Sequence, residues 1–102
     1  MPFKKSTSGN FSEYFLSHLN MQMRGILLLK NERNEIIMMR ASEDAITELK
    51  ALYNSNDYCW RYNPKKFEIE NVYFKDLNTR YRQLLQEIPT LMQADIDLVS
   101  DW

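Results

Sequence analysis

Scarcity of glycine and cysteine restricts what this sequence can do. With two glycines among 102 residues, Gly9 and Gly25, it has no glycine-rich loop of the kind that cradles phosphate groups. The single cysteine, Cys59, excludes an internal disulfide and agrees with a reducing compartment. We therefore expect a cytoplasmic protein without a nucleotide-binding phosphate loop.

Catalytic signatures are also missing. The only histidine, His18, is expected on a buried or boundary helix face, where packing is a more common role than metal binding. No HExxH, GxSxG or CxxC motif is present. The acid pairs, Glu68 with Glu70 and Asp95 with Asp97, are expected to face solvent. We predict that the protein is not an enzyme and needs no metal or other cofactor.

Long apolar runs and strong net charge are absent too. No run approaches the roughly 20 residues of a membrane span, and the first ten residues, MPFKKSTSGN, lack the apolar stretch of a signal peptide. A net charge of −1 gives no global attraction to nucleic acid or to an anionic membrane. We expect one domain over residues 11–102, preceded by a flexible arm over residues 1–10.

The most informative stretch is residues 25–40, where two apolar runs flank a polar turn, NERN. Each run has four or five residues, which is short for a helix but typical of a buried strand. We predict a β-hairpin that closes at Lys30 and Glu35 and pairs Leu29 with Ile36. Both faces of this hairpin are apolar, so each must be covered by helices or by another subunit.

Three segments have helical periodicity. The first covers residues 11–20, with Asn10 or Ser12 as its cap, and the second begins at Ser42 and continues to residue 53. The third begins at Asp76 and has the clearest apolar stripe, formed by Leu77, Tyr81, Leu84, Leu85 and Ile88. Residues 90–102 fit either a short helix or a strand, and the pattern does not decide between them.

A second hairpin is predicted from residues 58–63 and 67–74, joined by the turn NPKK. Tyr58, Trp60 and Tyr62 would then share one face. On the other face Cys59 would lie opposite Glu70, which would raise the thiol pKa and leave the cysteine unreactive. The fold predicted from these elements is α+β: a mostly antiparallel four-stranded sheet in the order α-β-β-α-β-β-α, with helices packed on it.

The favoured function is a small, non-enzymatic protein-interaction module, such as an adaptor, an inhibitor or a regulatory subunit. If both strongly striped helices lie on one side of the sheet, the other side of the first hairpin stays exposed. Methionines cluster there, and their flexible side chains suit a surface that accepts a protein partner or a second copy of the chain. The predicted interface residues are Met21, Met23, Ile37, Met38 and Met39.

The alternative is a nucleic-acid-binding module built on the aromatic strand. Alternating aromatic residues can form a platform for unstacked bases, and neighbouring basic residues can contact phosphates. The residues of this alternative site are Tyr58, Trp60, Arg61, Tyr62, Lys65 and Lys66. Because a helix-covered sheet needs the same alternation for its core, the sequence favours burial of these aromatic residues over base stacking.

Overall fold

The computed structural model describes residues 3–87 and has helices on both faces of one sheet. Its elements, in chain order, are β1 (Thr7–Asn10), α1 (Glu13–Ser17), β2 (Gly25–Lys30), β3 (Ile36–Ser42), α2 (Ala45–Tyr53), α3 (Asn56–Tyr62), β4 (Lys66–Asn71), a 3-10 turn (Phe74–Asp76) and α4 (Leu77–Glu87). The sheet order is β1-β4-β2-β3, and every neighbouring pair is antiparallel. The predicted α+β class with a four-stranded antiparallel sheet is confirmed.

β1 lies in the region that the composition assigned to a flexible arm. Thr7 pairs with Ile69 and Gly9 with Phe67, so residues 7–10 belong to the sheet. Gly9 suits this position because a β-carbon there would come within 2.3 Å of the Phe15 ring. A polar N-terminal stretch can thus be ordered by a strand that is distant in the sequence.

α3 replaces the strand predicted over residues 58–63, and that prediction is wrong. The helix brings Tyr58 and Tyr62 one turn apart, with ring centroids separated by 4.9 Å, and both pack with Cys59 against the core. Asn63 ends the helix in the left-handed conformation, with φ of 49°. Residues four positions apart share a face both in a helix and in a strand, so the spacing of Tyr58 and Tyr62 does not distinguish a helix from a strand.

The first hairpin is confirmed, but its predicted register is wrong. Leu29 pairs with Met38 rather than with Ile36, and a β-bulge follows at the junction of Leu29 and Lys30. The loop is longer than expected, because the side-chain oxygen of Asn31 accepts a hydrogen bond from the backbone N–H of Glu35 at 3.0 Å. The extra residue shifts the pairing without exposing the apolar side chains.

Helices cover both faces of the hairpin, which is the first of the two predicted alternatives, so the condition that both striped helices share one side is not met. The first face packs against α1, α2 and α3, in a core that includes Leu27, Leu29, Met38, Leu49 and Phe67. The second face packs against α4, in a core formed by Ile26, Leu28, Met39, Ala41, Leu77, Tyr81 and Leu84. The apolar stripe of α4 is thereby confirmed over the described residues; Ile88 and the segment at 90–102 lie outside them.

Side-chain caps start two of the helices. Ser12 caps α1 as predicted, its hydroxyl accepting from the N–H of Phe15 at 3.3 Å. α2 is capped by Asp44, which accepts from the N–H of Thr47, rather than by the predicted Ser42. Ser42 instead ends β3 and accepts from the N–H of Asp44 at 3.1 Å, so the helix begins later than expected.

Candidate functional site

The residues of the predicted protein interface do not form a common surface. Ile37, Met38 and Met39 are at most 2% exposed and belong to the two cores. Met23 is half-buried against the first core, whereas Met21 is 47% exposed. The apolar surface expected near the first hairpin is therefore occupied by the chain's own helices.

The residues of the alternative site lie on α3, in the loop that follows it and at the first position of β4. Tyr58 and Tyr62 are half-buried, but Trp60 points to solvent and is 86% exposed. The Arg61 guanidinium lies 5.9 Å from the centre of the Tyr62 ring, and Lys65 and Lys66 are exposed. The helix separates Trp60 from the two tyrosines, so the three rings do not make a flat platform.

A concavity of the described residues lies beside α4. Among the described residues, this helix packs mainly on β2 and β3 of the second sheet face, which leaves a cleft beside Glu70 of β4 and Ser6. The resulting cleft has a volume of about 560 Å3, within the range of small-molecule and peptide sites. It is lined by Lys4, Ser6, Glu70, Asn71, Val72, Tyr73, Asp76, Thr79, Arg80 and Gln83.

An ion pair between Glu70 and Arg80 forms the base of the cleft. Glu70 is 5% exposed, and its two carboxylate oxygens accept from Nε and Nη2 of Arg80 at 2.5 and 2.9 Å. The backbone N–H of Lys4 donates to the same carboxylate at 2.8 Å. These contacts join β4, α4 and the segment before β1.

The ion pair also sets the charge state of Glu70. Burial alone raises the pKa of its carboxyl group, but the hydrogen bonds from Arg80 and from the Lys4 amide, with the positive charges of both residues, outweigh it. The net result is a pKa below the ordinary glutamate value. Glu70 is therefore ionised at neutral pH.

The expectation that Glu68 and Glu70 face solvent is wrong. Glu68 is half-buried and forms a salt bridge with Lys30 at 3.0 Å, while Glu70 is buried beneath Arg80. One feature of the sequence could have indicated the burial of this pair. Arg80 directly precedes Tyr81 of the buried α4 stripe, so its side chain lies at the border of the core. Nothing in the sequence around Glu70 indicates that this residue is the partner of Arg80.

Exposed aromatic side chains lie at the rim of this cleft. Tyr73 lines the cleft and is 75% exposed, and the neighbouring Phe74 is 53% exposed. The Arg24 guanidinium lies 5.7 Å from the centre of the Phe74 ring, which is within cation–π range. We call these three residues the aromatic rim. Neither Tyr73 nor Phe74 was predicted as a site residue, because both fall at the end of the predicted strand over residues 67–74.

Cys59 and His18 are not part of the cleft. Cys59 is half-buried on α3, where its thiol donates to the carbonyl of Leu52 at 3.3 Å, so it does not face Glu70. Burial raises the pKa of this thiol. The direction agrees with the prediction, but the predicted cause was the neighbouring carboxylate of Glu70. His18 is exposed, contrary to expectation, and its Nδ1 lies 2.7 Å from the carbonyl oxygen of Tyr14.

Within residues 3–87, no group of three or more histidine, cysteine or acidic residues is placed to hold a metal ion. Over the same part of the chain, no helix has the length and apolar character needed to cross a membrane. Comparison with protein-family models, with curated proteins and with solved structures finds no match to this chain.

Proposed function

We propose that this chain is a small, non-enzymatic protein-interaction module that binds its partner at the aromatic rim and the adjoining cleft. One observation supports the proposal most strongly: the neighbouring residues Tyr73 and Phe74 are each more than half exposed, and Tyr73 lines the cleft. Tyrosine, phenylalanine and arginine are enriched in protein interfaces, and tyrosine and arginine supply much of the binding energy there.

The composition of the site fits the surface of a protein better than a small apolar ligand. Its floor is an ion pair that is already fully hydrogen-bonded, and most of its other lining residues are polar. A partner can bury the aromatic rim while the polar lining exchanges water for hydrogen bonds at the periphery, as in a typical interface. Two of the methionines that suggested a homodimer, Met38 and Met39, are inside the core, so we favour a different protein as the partner.

A double substitution in the rim tests this proposal. We expect Tyr73→Ala with Phe74→Ser to reduce retention of the native partner by about tenfold or more, since two aromatic contacts at the centre of an interface are removed. Immobilised wild-type and variant chains are incubated with an extract of the native source, and retained proteins are quantified by mass spectrometry. Both side chains are exposed, so thermal unfolding of the variant should be close to that of the wild type.

The matched control is Tyr14→Ala, which removes another aromatic side chain, 77% exposed, on α1. This variant should retain the partner as the wild type does. Equal retention by the rim variant and the control, or no protein specifically retained by the wild type, contradicts the proposed function.

Nucleic-acid binding is the second candidate, supported by the 86% exposure of Trp60. An exposed tryptophan can stack on an unpaired base, and Lys65 and Lys66 are exposed a few residues later. Filter retention of single-stranded nucleic acid by the wild type, lost in Trp60→Ala, would favour this function over protein binding.

A further inference from the structure

β1 is an open edge of the sheet. In the described part of the chain it pairs only with β4, and Ser8 and Asn10 are exposed. The backbone N–H of Phe11 donates to the carbonyl of Lys65 at 2.9 Å, which identifies this as a hydrogen-bonded pair of the antiparallel ladder. Because such pairs alternate, Thr7 and Gly9 bond to β4, whereas the N–H and C=O groups of Ser8 and Asn10 point away from the sheet.

Lysines lie at both ends of this edge. Lys4 and Lys5 precede β1, and Lys65 and Lys66 lie beside its other end, where Asn10 pairs with Lys66. All four are exposed. The two glutamates of β4 form their salt bridges with other basic residues, Glu68 with Lys30 and Glu70 with Arg80. Only Lys4 among the four also interacts with one of them, Glu70. Within residues 3–87, the edge therefore combines backbone groups that bond to no other strand with local positive charge.

We propose that the protein partner supplies an extended, acidic segment that adds to the edge of β1 as a further strand. This inference rests on the proposed function and names the chemistry of the partner. Strand addition to an exposed edge is an established mode of peptide recognition, with affinity from the main chain and specificity from side chains. Residues 5–10 extend over about 17 Å, enough for about five partner residues between the lysines.

The side chains of β1 leave room for such a segment. Thr7, Ser8 and Gly9 are small, and the half-buried Phe15 ring lies directly over Gly9. A partner strand next to β1 would place an apolar side chain against Phe15 and extend the first core. Its acidic side chains would reach the lysines at either end.

An acidic protein segment fits this edge better than a nucleic-acid backbone. A β-strand presents alternating donors and acceptors that complement those of Ser8 and Asn10. A phosphodiester backbone presents acceptors to the N–H groups, but it has no donor for the outward carbonyls. Positive charge alone would suit both ligands, so the exposed carbonyls favour the protein segment.

Fluorescence anisotropy with a labelled peptide of alternating glutamate and valine tests the proposal. We expect this peptide to bind the wild-type chain at least about tenfold more tightly than a peptide of alternating lysine and valine. The affinity should fall as salt is added, because the charges are exposed. Equal affinity for the two peptides, or no binding of the acidic one, overturns the proposal.

Ser8→Pro separates strand addition from simple charge attraction. Proline removes the outward N–H but no hydrogen bond to β4, and an edge position tolerates it. We expect Ser8→Pro to weaken binding of the acidic peptide by about tenfold, whereas Ser8→Ala, which keeps the N–H, changes it by less than about twofold. Equal affinities of these two variants contradict strand addition.

Charge reversal gives a second variant in case proline disturbs folding. Lys4→Glu with Lys5→Glu should abolish the preference for the acidic peptide, whereas Arg82→Glu, an exposed position on α4, should leave it unchanged. If the lysine variant keeps the preference, the proposal is wrong. Oligothymidine that binds more tightly than the peptide, and equally well to Ser8→Pro, would assign the edge to nucleic acid instead.

The retention experiment on the aromatic rim distinguishes failure of this inference from failure of the proposed function. If Ser8→Pro retains the native partner fully while the rim variant loses it, the protein is an interaction module that does not use strand addition. If neither variant changes retention, both proposals fail.

Discussion

Met39→Lys is expected to unfold the chain rather than to dissociate an assembly. Met39 is 0% exposed and lies between β3 and α4 with Leu77, Tyr81 and Leu84 around it. An ammonium group there has no acidic partner, and a buried, unpaired charge costs at least about 3 kcal/mol. That is a large part of the about 5 to 15 kcal/mol by which small domains are stable. Circular dichroism and denaturant titration measure the loss.

Met21→Lys is the matched control, because it makes the same chemical change at a methionine that is 47% exposed. We expect its unfolding free energy to stay within about 0.5 kcal/mol of the wild-type value. A Met39→Lys chain that stays folded but sediments at a lower mass than the wild type would contradict the packing described here. Such a result would restore the hairpin as an interface.

Arg80→Met is expected to have the second largest effect. Methionine keeps much of the length and apolar stem of arginine but leaves the buried Glu70 carboxylate without its guanidinium partner. Removing one member of a buried ion pair typically costs about 3 to 5 kcal/mol, because the remaining charge stays desolvated. Arg82→Met, at an exposed position of α4, makes the same change away from the pair and should cost less than about 0.5 kcal/mol.

The contribution of Glu70 to the pH dependence of stability should reverse in sign between the wild type and Arg80→Met. In the wild type the pKa of Glu70 is lower in the folded state than in the unfolded state. The unfolded chain therefore binds the proton more readily, and the stability contributed by Glu70 is lost as the pH falls through the folded-state pKa. Without Arg80, burial raises the folded-state pKa of Glu70. Protonation of Glu70 as the pH falls should therefore partly restore the stability that the substitution removes. Denaturant midpoints measured from neutral pH down to about pH 3 test this.

Local periodicity predicted the parts of the fold whose patterns are self-contained. The apolar runs around residues 31–35 gave the first hairpin, and the spacing of Leu77, Tyr81 and Leu84 gave α4. In both cases burial depends on a stripe or run that lies within one element. The register of the hairpin could not be predicted in the same way, because it depends on a bulge beside Leu29.

Two elements were misassigned because their conformation depends on distant partners. β1 has a polar composition and is ordered by pairing with β4, near the other end of the domain. The aromatic residues of α3 alternate as in a strand, yet Tyr58 and Tyr62 also lie one helical turn apart, and packing against α2 selects the helix. One missed strand and one false strand left the predicted count of four unchanged.

The candidate site was less predictable than the fold. Glu70 and Arg80 are ordinary surface residues by their local context, and only the position of α4 over half of the sheet brings them together. Tyr73 and Phe74 are exposed because the chain turns away from β4 before the 3-10 turn. No periodic pattern marks an aromatic residue that remains outside the core.

Photo-cross-linking from position 74 tests the central claim most directly. Phe74 is replaced by p-benzoylphenylalanine, a close aromatic analogue, and the chain is irradiated in cells of the native source; the control carries the same group at Tyr14, on α1. We predict a discrete covalent adduct with one partner protein from position 74 and none from position 14. Uncross-linked chain alone at position 74, or the same adducts from both positions, would contradict binding at the aromatic rim.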